Sequence, residues 1–166
     1  MTANDTDEIF EDVPTEVNDS ELQELALPRD VVAATRQAWE EFLGLYDSGV
    51  ACGEAIYAAI FDSSPSLQSL FKIPRAIMAV RFLQGLTMLI KDADSKEALR
   101  SSVGMLGFRH LELAISQQRV GTFRDAIIDL LDAELEGFTA KARYGLARLI
   151  NHAGAACIYV AREYVS

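Results

Sequence analysis

Two observations predict an all-α fold of six to seven helices. Past Leu27 the apolar residues recur at steps of three and four with no sustained alternation, and only four prolines and ten glycines punctuate the 166 residues. A chain of this length is enough for one well-buried core and short for two, so a single domain over 28–166 is expected.

Pro28 opens the first helix, whose inner stripe runs through Val31 or Val32, Thr35, Trp39, Phe42 and Tyr46 and stops near Asp47-Ser48-Gly49. A second helix carries Gly53, Ile56, Tyr57, Ile60 and Phe61, and Asp62-Ser63-Ser64-Pro65 ends it. A short turn over Leu67 to Phe71 follows. Pro74 suits the first turn of the next helix, which runs to about Lys91 and is apolar on nearly every side, with Ile77, Met78, Val80, Phe82, Leu83, Leu86, Leu89 and Ile90. Such a helix is buried centrally or lines a cavity filled by something apolar. Past Asp92-Ala93-Asp94-Ser95 comes the stripe Leu99, Val103, Leu106, His110 and Leu113. Two long helices close the chain, over about 120–135 and 139–164.

The formal charge of −10 is local. Residues 1–27 hold nine of the 25 acids and none of the 15 bases, so the rest carries 16 acids and is close to neutral. That distribution predicts a disordered acidic leader over 1–27 and gives no basic surface for nucleic acid. Cys52 and Cys157 sit inside apolar helical patterns and match no metal spacing, so they read as buried thiols of a reducing compartment. With no basic segment and apolar run at the N-terminus, and no stretch near the about 20 apolar residues of a membrane span, the expected location is the cytoplasm and no membrane partner is indicated.

One residue carries chemistry. His110 lies on the face of Leu99, Val103 and Leu106, so a polar ring points where leucines point. A buried neutral imidazole must satisfy both ring nitrogens or lose about 1–3 kcal/mol for each group left unpaired. Metal ligation by one nitrogen, with the other bonded to a carbonyl or water, is one solution. A core histidine bonded to a backbone carbonyl is the other.

The succession Trp39, Gly53, Tyr57, Phe61, Pro65, Phe71 and Leu106-Gly107-Phe108-Arg109-His110, with Leu135-Glu136-Gly137-Phe138-Thr139 further on, resembles the globin family from about 30 to 165. The resemblance implies a globin-like fold around a pocket for haem b, with His110 as the iron ligand. It places Phe71 against the ring face, and Ile115 and Phe123 in the cavity wall. It also implies a close crossing of the second helix at Gly53, with Gly85 a candidate counterpart. Counting back from His110 without gaps puts Met78 over the ligand and Phe82 one turn later, whereas a register three residues away puts Arg81 there. Because none of these is the family's usual distal donor, that role is expected of the Tyr57 hydroxyl. A His/Met iron site through the Met78 thioether is a further alternative. Lys72, Arg75, Arg81 and Arg109 are the candidate cations for the propionates. The last helix shows Gly145 and Leu146 where the family often has tryptophan, and His152 reads as partly exposed without a ligand role.

The implied function is binding of a diatomic gas (dioxygen, nitric oxide or carbon monoxide) for scavenging, storage or sensing. Enzymatic turnover of the nitric oxide dioxygenase or peroxidase kind would need an external reductase, because the chain has no Gly-x-Gly-x-x-Gly fingerprint. The alternative is a haem-free globin-like regulatory or interaction module. A hydrolytic enzyme finds no support, since no cysteine has a histidine in an evident constellation and the acids of the body sit on solvated faces.

Overall fold

The computed structural model describes residues 13–69, 72–110 and 115–165, and within them seven helices and no strand. They are α1 (Arg29–Gly44), α2 (Gly49–Ser63), α3 (Pro65–Gln68), α4 (Arg75–Lys91), α5 (Lys96–Arg109), α6 (Gln117–Glu134) and α7 (Ala140–Val165). Phe71 and Leu113 lie outside the described residues. The all-α expectation holds.

The boundaries follow from cap chemistry. The Ser48 hydroxyl accepts from the Ala51 amide at 3.1 Å, Ser95 from Ala98 at 3.2 Å, Ser116 from Arg119 at 3.2 Å and Thr139 from Ala142 at 3.2 Å. Each bond satisfies an amide with no partner inside its helix and contributes about 1 kcal/mol. Pro65 stands in the first turn of α3, and Pro28 and Pro74 stand just ahead of α1 and α4.

The buried face of α1 is Val31, Val32, Thr35, Ala38, Trp39 and Phe42, a continuous apolar stripe at helical spacing. Trp39 Nε1 donates to Thr87 Oγ1 at 3.1 Å, and Arg36 donates to the Lys91 carbonyl at 2.6 Å while pairing with Asp94 at 3.0 Å. These bonds fasten α1 along the C-terminal half of α4. α4 differs from its expected all-round burial: Met78, Ala79, Leu86, Leu89 and Ile90 are buried, but Ile77 is 47% exposed.

Two glycines set how closely helices approach. A Cβ on Gly53 would stand 2.7 Å from the Ala79 carbonyl oxygen, so α2 crosses α4 backbone to backbone. The counterpart is Ala79. Gly85, expected in that role, has nothing within 4 Å of a Cβ built on it. On α7, a Cβ at Gly145 would lie 2.9 Å from Val31 Cγ1, which explains why a tryptophan has no room there.

Residues 13–27, the described part of the acidic leader, form neither helix nor strand and lie against the core. Val17 and Leu25 are buried, and Val13, Leu22 and Leu27 pack on the core. Their apolar side chains, spread thinly among acids, are too sparse to predict a helix but enough to seat an extended segment.

Gly53→Ala should therefore destabilise the chain by about 1–3 kcal/mol through overpacking. Gly104→Ala, where an added Cβ meets nothing within 4 Å, should stabilise it by about 0.5–1 kcal/mol. Urea unfolding of the two variants checks the contrast.

Candidate functional site

Five helices and the turn of α3 line a cavity of about 200 Å³, with Ile60 from α2 and Leu67 from α3. Protein interiors hold few voids larger than a water molecule. This one is open on one side, where the exposed Arg81 stands, so it is a pocket with a mouth rather than a sealed packing defect.

α4 turns Arg81, Phe82, Gly85, Leu86 and Leu89 to the cavity, a stripe at helical spacing. α5 delivers Leu106 and, at its C-terminal cap, His110. Beyond it come Ile115 and then Arg119, Val120 and Phe123 of α6, while α7 closes the far wall with Ile150, Ala153, Gly154 and Cys157. Phe82 and Phe123 meet with ring centroids 5.7 Å apart. Burial pushes the Cys157 thiol up to about 12 and the Cys52 thiol up to about 11, so both stay protonated.

The ring of His110 has a defined role for each nitrogen. Nδ1 lies 2.6 Å from the Leu106 carbonyl oxygen. A carbonyl only accepts, so Nδ1 carries a proton, and the tautomer this selects for a neutral ring has its lone pair on Nε2. The carbonyl bond weighed for a histidine on this face is thus present, on a half-buried ring that also lines the cavity.

Of the residues named from the sequence, the structure brings His110, Arg81, Phe82, Ile115 and Phe123 to one cavity. Tyr57 is buried but does not line it. Its ring lies 4.4 Å from Phe61 and 6.3 Å from Phe82, its hydroxyl accepts from Gln68 Nε2 at 3.3 Å, and the Arg75 guanidinium sits 4.4 Å over its face. Met78 is buried one turn before Phe82, also outside the lining. Phe71 lies outside the described residues. Arg75, one of the candidate cations, is committed to Glu54 at 2.8 Å. Arg119, absent from the expected cations, lines the cavity with Arg81. Its spacing of four before Phe123, an expected wall residue, was the signal that could have found it.

This donor set fits a haem. A planar apolar group with an acidic edge finds apolar walls, one imidazole with a bare nitrogen, and two guanidinium groups.

A family model of globins matches residues 54–157, a span that takes in all the cavity-lining residues. The chain belongs to the globin family. No curated protein matches it. No helix among the described residues is long and apolar enough to cross a membrane.

His152, on α7 outside the cavity, gives the fold a pH dependence. It is half-buried with no partner for its buried Nε2, and burial together with Arg148 holds the imidazole below its ordinary value of 6.5. The unfolded chain binds a proton near pH 6.5 that the folded chain refuses. Stability is therefore full above that pH and falls as the pH drops toward the lowered value. His152→Leu should remove this acid-side loss and, by deleting an unpaired group, stabilise the chain by about 1 kcal/mol at neutral pH. Thermal unfolding followed across pH checks both.

Proposed function

We propose that this globin holds haem b through His110 Nε2 and binds a diatomic gas on the iron, for scavenging, storage or sensing. The observation that carries the proposal is the pairing of a committed Nδ1 with a cavity-facing ring. The Leu106 carbonyl fixes both the tautomer and the ring orientation, as partners of metal-bound histidines do.

In this reading the haem supplies an iron with an open position, and the remaining work falls to the chain's own residues. His110 holds the iron, Leu106, Ile115, Phe82 and Phe123 exclude water from the ring faces, and Arg81 and Arg119 meet the propionates. Gly85 leaves room on the α4 side, where Phe82, Leu86 and Leu89 keep the surroundings of the gas apolar. Turnover as a dioxygenase or peroxidase would require a separate reductase. A haem-free regulatory module is the competing function: the form that fills the space with side chains is at odds with a cavity of about 200 Å³, and the form that binds an apolar ligand would use the same apolar walls without needing His110.

The deciding experiment is haemin titration of the purified chain, followed by visible absorption and thermal melting. Haemin should give a protein-bound Soret band and, at a hundredfold excess over its dissociation constant, stabilise the fold by about 2.7 kcal/mol. His110→Gly should abolish the five-coordinate spectrum, and added imidazole should restore it. Unchanged melting with haemin, in the parent chain as in the variant, would favour the haem-free module. A second variant tests the cavity itself: Gly85→Phe should fill the space, keep the fold and block haemin uptake.

A further inference from the structure

We infer that residues 13–27 are a strap that holds the His110 wall of the cavity in place and limits exchange of the bound cofactor; the cofactor half of this inference rests on the proposed function. The strap's polar contacts fall on α5, α6 and α7, the three helices that build that wall. Glu24 pairs with Arg100 of α5 at 3.4 Å. Gln117, the first residue of α6, donates through Nε2 to the Val17 carbonyl at 3.1 Å and to Asp19 at 3.3 Å. Asn151 of α7 donates to the Pro14 carbonyl at 2.8 Å, and Arg162 pairs with Asp19 at 3.2 Å.

The position of Gln117 gives the strap its reach. Gln117 is the first residue of α6, so a bond to it ties the strap to the helix that brings Arg119, Val120 and Phe123 to the cavity. A second route is buried. Arg124 of α6, 5% exposed, donates to Asn151 Oδ1 at 3.0 Å, and Asn151 passes the chain of hydrogen bonds on to Pro14. The anchors adjoin the lining in sequence: Ile150 precedes Asn151, and Arg119 and Val120 follow Gln117 within one turn. Val17 and Leu25, both buried, seat the strap between its polar ties.

Detaching the strap frees the start of α6 and leaves the Asn151 amide without its acceptor, so the wall carrying His110 opens while the α2 side stays as it is. The Glu24–Arg100 pair is solvent-facing on both sides, so salt weakens it.

The test uses the full-length chain with Val17→Asp, which places a charge in the strap's apolar seat, and with Gln117→Ala, which removes two strap bonds from an exposed position. Amide hydrogen exchange of the haem-free chain is read at residues 106–110 and 115–123 and compared with residues 56–61 of α2. Haemin loss to an excess of a haem-free acceptor globin is read separately. The expected result is exchange and haemin loss faster by on the order of tenfold at the His110 wall, as the loss of two hydrogen bonds implies, with α2 unchanged. Equal acceleration in α2, or no acceleration anywhere, would overturn the strap. If Val17→Asp does not fold, Gln117→Ala decides alone. If no variant and no parent chain binds haemin, the proposed function fails while the exchange comparison still judges the strap.

Discussion

The candidate site depends on one oxygen atom, the carbonyl of Leu106. At the end of α5 this carbonyl accepts the last regular helical bond, from the His110 backbone amide at 3.1 Å, and also faces the His110 ring Nδ1 at 2.6 Å. Backbone and side chain of one residue are thereby tied to one acceptor, which fixes the ring against rotation and fixes its tautomer. A free histidine at a helix end would sample several rotamers and both tautomers. Here the lone pair on Nε2 is set by the fold before any ligand arrives, so binding does not bear the cost of ordering the ring.

That imidazole would be of no use against a filled core, and the surrounding fold keeps the space open. α7 is the backbone of the arrangement: α1 reaches it at Gly145, α5 at Gly107, and α6 at Gly154, where small residues let the helix axes come close. Close approach at those crossings positions the helices, and the cavity remains where Gly85 and Ala153 present little or no side chain to it. The polar ties lie outside the cavity. Arg36 and Trp39 hold α1 to α4, and Arg124 with Asn151 links α6 to α7, so the walls are fastened from behind.

Much of this was legible in the sequence because helices announce themselves through spacing and caps. Ser48, Ser95, Ser116 and Thr139 each stand just ahead of an apolar period, and the helices begin there. His110, Phe82, Ile115 and Phe123 share the cavity because they share inward stripes. The placements of Tyr57 and Met78 depend instead on how α2 and α4 are rotated about their own axes where Gly53 crosses Ala79, and no count along the chain supplies those angles. Counting back from His110 gave α4 a register but could not say which of two adjacent faces turned inward. The segment 13–27 was obscured differently. Its charge is a property of the sequence that composition reports, whereas the buried seats of Val17 and Leu25 exist only after the helices pack into one core.

The chemistry of the cavity narrows what it can hold. An apolar ligand such as an acyl chain would be served by the walls alone and would gain nothing from an imidazole with a bare nitrogen, whose desolvation is a cost unless something accepts the lone pair. A free metal ion would gain from Nε2 but would find no second donor in the lining beyond the Cys157 thiol, which burial keeps protonated, and sites of one protein ligand do not retain a divalent ion. The two requirements are met together by a metal that brings its own remaining ligands inside an apolar macrocycle. The positions of Arg81 and Arg119 add a third constraint, acidic groups at the edge of that macrocycle. Haem satisfies all three at once, which is why the proposal rests on the combination rather than on the histidine alone.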